Sequence, residues 1–241
     1  MIYYFSATGN CKYVASRIAA ATGEQAVDIE ECLREGKYRF SLDGERVGIV
    51  TPVYFWNIPF LVADFLSKAS FEGAGYRYCV VTYGTTTGNV AARIQEFLPL
   101  DAEYGLKMPD TWTHLFDLSD AEKVQAQNRA ADVALETVID RICRRTGGDF
   151  NRTKKPDLAC RFGKWYYDRS RKTSHFTVRA DCTGCSRCAR DCPIQAIQME
   201  GHRPVWVSDR CLLCLRCLHH CPQFAIQYSS RTYRHGQYTH P

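Results

Sequence analysis

Eight of the chain's 13 cysteines fall between Cys182 and Cys221, in two copies of one pattern. Cys182, Cys185, Cys188 and Cys192 read C-x2-C-x2-C-x3-C before Pro193, and Cys211, Cys214, Cys217 and Cys221 repeat that spacing before Pro222, each cysteine offset by 29. Ala196-Ile197-Gln198 follows the first run and Ala225-Ile226-Gln227 the second, so the repeat is a structural unit with apolar packing of its own. A disulfide framework of the kind that staples small secreted domains describes such a cluster poorly. Met1 to Arg17 shows no basic leader and no cleavage-site pattern, so the chain is expected in the cytoplasm, where thiols stay reduced. Thiolate metal ligands are then the expected use of these cysteines.

The doubled run resembles the bacterial two-cluster ferredoxin. That resemblance implies two [4Fe–4S] cubes, each taking three thiolates from one run and the fourth from the other. Carried over position by position, one cube takes Cys182, Cys185, Cys188 and Cys221, the other Cys211, Cys214, Cys217 and Cys192. Zinc also binds paired C-x2-C motifs, but tetrahedral zinc has no use for a third cysteine two residues on, nor for a Cys-Pro in both copies.

Charge divides the chain as sharply as cysteine does. Residues 1–146 carry a net −4 and residues 147–241 a net +9. Much of the excess lies between Asn151 and Ala180, where nine Lys and Arg face only Asp157 and Asp168. Trp165, Tyr166 and Tyr167 interleave this basic stretch, but no helix-turn-helix, zinc-finger or single-strand-binding signature accompanies it, so no nucleic-acid partner is expected. It reads as a solvated connector whose cations neutralise something anionic in the same protein. No membrane span is expected either: the uncharged stretch from Val47 to Ala63 is broken by Pro52 and Pro59 and reads as a buried strand, a loop and a helix start.

The first half alternates strands and helices. Ile2–Phe5, Val47–Val50 and Tyr78–Thr82 are short apolar runs suited to strands buried on both faces, and a further strand is expected near Leu106–Met108. Helical spacing follows Gly9, with Val14, Ile18 and Ala21 on one face and Gly23 as terminator. Other helices are expected after Pro59, after Asn89, and from a Ser119/Glu122 capping box to Gly147-Gly148. Repeated βα units predict an α/β, doubly wound parallel sheet whose ligand lies beyond the carboxyl ends of the strands. The expected division is residues 1–146 as this domain, 147–174 as the basic connector, and 175–241 as a small α+β cysteine-rich domain with its tail.

Three loops stand at those strand ends. Ser6-Ala7-Thr8-Gly9-Asn10-Cys11 joins a strand to a helix and offers hydroxyls, a glycine and exposed backbone N–H groups at a helix N-terminus, an anion site that needs no lysine. It is neither a Walker A loop nor GxGxxG. This strand-S-x-T-G-N-helix sequence resembles the phosphate loop of flavodoxins, which holds the phosphate of FMN and implies the sheet order 2-1-3-4-5. The second loop, with Pro52, Tyr54, Phe55, Trp56 and Asn57, sets three aromatic rings between two prolines, where they suit the faces of an isoalloxazine. The third runs through Thr82, Tyr83, Gly84, Gly88 and Asn89 and allows close backbone approach to the ring's polar edge.

A flavodoxin-like domain fused to a two-cluster ferredoxin-like domain is similar to a family of anaerobic flavo-iron-sulfur proteins, the EFR-type ferredoxins. The resemblance implies electron transfer among FMN, two [4Fe–4S] clusters and an external redox protein. The alternative is an FMN-dependent oxidoreductase that reduces a quinone or an unsaturated acid with electrons supplied through the clusters. For that enzyme Tyr54, Tyr83 and His114 are the available proton donors, and no catalytic triad is legible. Cys32, Cys79, Cys143 and Cys160 read as small hydrophobes, and His219 and His220 as outward-facing neighbours of the ligands.

Overall fold

The computed structural model describes residues 1–241. Its first part runs β1 (Ile2–Tyr4), α1 (Asn10–Thr22), β2 (Ala26–Asp28), α2 (Ile29–Glu35), β3 (Arg39–Ser41), β4 (Arg46–Pro52), α3 (Phe60–Lys68), β5 (Ser70–Glu72), β6 (Tyr76–Tyr83), α4 (Val90–Gln95), β7 (Ala102–Lys107), α5 (Ala121–Cys143) and β8 (Gly148–Asp149). Six strands form one parallel sheet in the order β2-β1-β4-β6-β7-β8. Counted along the sheet's own strands this is the doubly wound order 2-1-3-4-5, extended at its edge by β8. β3 and β5 pair separately.

Period-two alternation splits each strand between two cores. Tyr3 and Phe5 pack with Ile49, Phe65 and Ile94 on one face; Ile2 and Tyr4 pack with Val14, Ile18, Val80 and Leu135 on the other. With both faces covered, β4 and β6 read as unbroken apolar runs. β7 is harder to see, because Glu103 interrupts its pattern; that carboxylate is nonetheless buried and taken by Lys154 Nζ at 2.6 Å. The strand therefore begins earlier than Leu106.

Two helix signals resolve differently from the sequence expectation. Asp120, not Ser119, caps α5 by accepting the Lys123 N–H at 3.0 Å, while Ser119 donates to Asp117. α5 stops at Cys143 rather than Gly147-Gly148, because Gly148 N–H is drawn to Asp101 O at the sheet edge.

The expected connector is not a solvated linker. It holds β8 and then α6 (Asp157–Ser170), whose Cys160, Gly163, Tyr167 and Ser170 are buried at helical spacing while Leu158, Arg161, Phe162, Lys164, Trp165 and Tyr166 are exposed. Beyond it come β9 (Thr177–Val178), α7 (Arg187–Arg190), β10 (Ile197–Glu200), β11 (Arg203–Trp206), α8 (Arg216–His219) and β12 (Ile226–Gln227). β9 pairs with β12 and β10 with β11, both antiparallel. The repeat persists in the backbone: Ser186 and Leu215, then Gln195 and Phe224, are left-handed at matching positions, and Ala196 and Ala225 donate N–H bonds to Cys192 Sγ and Cys221 Sγ at 3.3 Å each.

A third core of Tyr167, Phe176, Leu213, Leu218, Ile226 and Tyr228 takes in Tyr54, Phe55 and Trp112, so apolar packing runs from the sheet's loops into the cysteine repeat. No helix is long and apolar enough to cross a membrane.

Candidate flavin and cluster sites

After β1 the chain turns through Ser6–Gly9 into α1. Gly9 sits at φ +99°, where a Cβ is strained, and that Cβ would also lie 2.9 Å from His240 Cβ. The backbone N–H groups of Ala7 through Cys11 donate to no acceptor in the chain, and Ser6 Oγ is buried without a partner. They gather at the positive end of a 13-residue helix beside a cavity of about 60 Å³. Ser6, Ala7, Thr8, Asn10 and Cys11 line this cavity together with Pro52, Tyr54, Thr82, Tyr83 and Gly84; Gly9 stands outside it, under the C-terminal tail. Cys11 Sγ is turned away to Thr82 Oγ1 at 3.1 Å, and burial pushes its thiol up to about 12, so only its backbone faces a ligand. The Asn10 side chain is also engaged, donating to Pro109 O and accepting from Tyr238 Oη at 2.8 Å.

A second cavity of about 550 Å³ adjoins the first, sharing Tyr54, Gly84 and Asp110. Its aromatic wall comes from a tight turn in which Tyr54 and Asn57 exchange backbone hydrogen bonds of 2.9 and 3.0 Å. Phe55 and Trp56 occupy the turn's centre at φ +49° and +66°, a conformation that costs non-glycine residues about 1–3 kcal/mol each and persists only where the surroundings enforce it. Asn57 Nδ2 enforces it by donating to Phe55 O and Cys160 O, both at 2.8 Å, and Asn89 N–H by donating to Trp56 O at 3.0 Å. Asn57, Gly88 and Asn89, expected to touch the ring, thus lie outside both cavities and support the turn from behind; a Cβ on Gly88 would lie 2.0 Å from Trp56 O.

Thr85 and Thr86 of the third loop also line the second cavity, and the remaining walls were not anticipated: the segment after β7 with Asp110, Trp112, Leu115 and Phe116; Phe162, Gly163 and Tyr166 of α6; and Leu213, Cys214 and Leu215 of the second cysteine run. The segment after β7 is one more loop at a carboxyl strand end, so the doubly wound rule itself could have pointed to it. Tyr54 Oη and Trp112 Nε1 are both buried without a hydrogen-bond partner here. His114 is elsewhere, bonded to Ser229 Oγ at 2.9 Å.

Asp110 borders both cavities, and burial pushes its carboxyl up to about 6 against the opposing bond from Trp112 N–H at 3.0 Å. An anion bound nearby raises that pKa further, so anion binding takes up protons and tightens as pH falls from 7.5 toward 6. Asp110→Asn should therefore bind FMN more tightly than wild type at pH 7.5, by roughly tenfold at one pKa unit of added shift, with the difference closing below about pH 5. Flavin fluorescence titrations across that range check it; equal affinities at pH 7.5 would place the carboxylate outside the ligand's field.

The cysteines form two sets. One small cavity is lined by Cys182, Cys185, Cys188 and Cys221, and another by Cys192, Cys211, Cys214 and Cys217. No three His, Cys, Asp or Glu side chains gather closely enough to hold a single metal ion. Leu213, Cys214 and Leu215 line both the second set's cavity and the large cavity.

His219 and His220 face inward, not outward. His219 donates Nε2–H to Thr111 O at 2.9 Å and accepts Tyr238 N–H on Nδ1 at 3.2 Å; burial pushes it down to about 4. His220 Nε2 donates to Ala7 O at 3.0 Å. Cys143 is exposed, whereas Cys32, Cys79 and Cys160 are buried as expected of small hydrophobes.

A family model described as the flavodoxin domain matches residues 1–132. The chain belongs to the flavodoxin domain family. A model of the 4Fe-4S dicluster domain matches residues 181–226, which contain all eight cysteines of the repeat. Together the two domains give FMN and [4Fe–4S] clusters as the cofactors and electron transfer as the chemistry. No curated protein matches the chain. Among solved structures, the general stress protein 14 of Treponema denticola, solved in complex with FMN, is similar at 12% identity over 57% of this chain and 97% of its own, with a TM-score of 0.31.

The chain's own residues fit these groups. Unpaired N–H groups and a buried hydroxyl suit a phosphate dianion, an adjoining aromatic cavity with two orphaned donors suits a flavin ring, and two sets of four thiols suit two cubes.

Proposed function

We propose that this protein is an EFR-type flavo-iron-sulfur carrier in which Ser6 to Cys11 hold the FMN phosphate, Tyr54 to Trp56 and α6 enclose the ring, and the two crossed cysteine sets hold the cubes. In this reading residues 1–146 carry the FMN site, 175–241 the clusters, and 147–174 serve the flavin site as well, since α6 is one of its walls. When bound, FMN supplies one- and two-electron redox chemistry and each cube one-electron chemistry. The observation that carries the reading is the shared wall, Leu213-Cys214-Leu215, which leaves no layer of protein between the ring cavity and a cluster ligand. These residues exclude water from the crossing point, and Leu213 and Leu215 are themselves almost fully buried.

The external partner is a small acidic redox protein. Leu115, Phe162 and Tyr166 line the ring cavity yet remain exposed at its mouth, Trp165 stacks beside Phe162, and Arg161, Lys164 and Arg169 lie on the same helix. An apolar centre with a charged rim is the anatomy of a transient protein interface, and the rim's sign calls for an acidic partner. Anaerobically reconstituted protein, with one flavin and about eight irons per chain, should be reduced quickly by a reduced acidic ferredoxin, at a rate that falls as salt is raised. Reduction by a nicotinamide nucleotide coupled to turnover of a quinone, with no salt-sensitive exchange with the ferredoxin, would favour the small-molecule oxidoreductase instead.

A further inference from the structure

The carbonyls of Ser6, Ala7 and Thr8 each accept a hydrogen bond from the cysteine-rich half: Arg216 Nη2 at 2.7 Å, His220 Nε2 at 3.0 Å and the His240 backbone N–H at 2.7 Å. A planar trans peptide points its C=O and the following N–H in opposite directions. Fixing three successive carbonyls therefore fixes the directions of the Ala7, Thr8 and Gly9 N–H groups, which are among those without an acceptor in the chain.

Two of the three donors are embedded in the second cysteine run. Arg216 lies between Cys214 and Cys217, and His220 immediately precedes Cys221. Arg216 is also ion-paired with Glu30 of α2, both side chains mostly buried, and its Nη1 donates to Asp191 O beside Cys192 at 3.0 Å. The third donor belongs to a tail that doubles back over α1: Tyr238 Oη donates to Asn10 Oδ1, and the His240 ring stacks on Tyr13 at 4.1 Å.

We infer that Arg216, His220 and the tail from Tyr238 to His240 are positioning residues for the FMN phosphate, so that the cradle is aligned only when the cysteine-rich half is folded and docked. The inference rests on the flavin reading above. Its physical reason is that converging unpaired N–H groups carry like partial charges and gain by rotating apart toward water. Cys11 offers no side-chain donor, so backbone alignment has to supply the affinity. Because coupling of this kind is reciprocal, bound FMN also tightens the docking of the second repeat by the same factor.

The test compares FMN with riboflavin, which has the ring and no phosphate, in iron-loaded protein stripped of flavin and titrated by fluorescence quenching. Truncation after Gln237 should leave about eight irons but weaken FMN at least tenfold, since it removes one carbonyl bond and the Asn10 contact at about fivefold each. Glu30→Gln, which removes the ion pair that orients Arg216 and substitutes nothing in the cysteine-rich half, should weaken FMN about fivefold. Riboflavin affinity should stay within about twofold in both, a single unperturbed contact being worth more than that. Unchanged FMN affinity in Glu30→Gln and in an iron-loaded truncation overturns the inference, and so does an equal loss for riboflavin. If the truncated chain fails to load iron, Glu30→Gln decides alone. Wild-type protein that binds neither flavin would overturn the flavin reading itself.

Discussion

Alanine at Cys192 should remove about four of the chain's eight irons, and the cube lost should be the one bounded by Cys211, Cys214 and Cys217. Cys192 belongs in sequence to the first run, yet it shares a cavity with the second. Cys221→Ala should do the converse and empty the site of Cys182, Cys185 and Cys188. The two losses differ in consequence, because only the set containing Cys192 shares a wall with the ring cavity. Cys192→Ala should therefore expose Leu213 and Leu215 to rearrangement and weaken binding of the flavin ring itself, whereas Cys221→Ala, next to His220, should reach the flavin only through the phosphate cradle. Each variant should also lose stability, since a metal site that joins distant chain segments contributes its binding free energy to folding. Iron analysis with low-temperature EPR of the reduced variants distinguishes the cubes. Loss of the Cys182, Cys185 and Cys188 cube in Cys192→Ala, with the other intact, would show that the runs do not exchange ligands.

The parts of this protein legible in its sequence are those in which one residue type at one spacing does the chemistry. The cysteine repeat is of that kind, and so is Ser6 to Asn10, whose glycine and hydroxyls sit where a strand must turn into a helix. The parallel sheet was legible because β4 and β6, buried on both faces, leave apolar runs, and its order because the phosphate loop resembles that of flavodoxins. What escaped was whatever is built from ordinary residues brought together at long range. α6 carries its meaning in packing: its basic composition describes the solvent side, while Cys160, Gly163 and Tyr167 describe the side packed on the protein, and Phe162, Gly163 and Tyr166 line the ring cavity. Asp110 and Trp112 have no motif around them and acquire a role only because β7 ends beside β6. His219 and His220 looked like bystanders to their cysteines, since nothing local shows that Thr111 and Ala7 carbonyls wait opposite them.

Valine at Gly163 should weaken flavin binding by about one to two orders of magnitude while sparing the iron. Gly163 lies on the buried face of α6, where an added Cβ would meet Phe55 O at 2.5 Å and Trp56 Cε3 at 3.0 Å. Neither neighbour can yield cheaply, because both belong to the left-handed turn that Asn57, Asn89 and its own reciprocal hydrogen bonds hold in place. The helix must move instead, and it carries Phe162 and Tyr166 out of the cavity wall as it goes. Overpacking of this sort costs about 1–3 kcal/mol, enough to raise the FMN dissociation constant by one to two orders of magnitude if the strain is relieved only in the open form. Gly163→Ala should fall between valine and wild type, and Lys164→Ala, one position along on the exposed face, should leave flavin affinity unchanged. No residue of α6 lines either cysteine cavity, so about eight irons should remain in every variant. Flavin retained by Gly163→Val with wild-type affinity would mean that the ring lies somewhere other than between the aromatic turn and α6. The graded series matters because a general loss of folding would release iron and flavin together, whereas displacement of one wall releases the flavin alone.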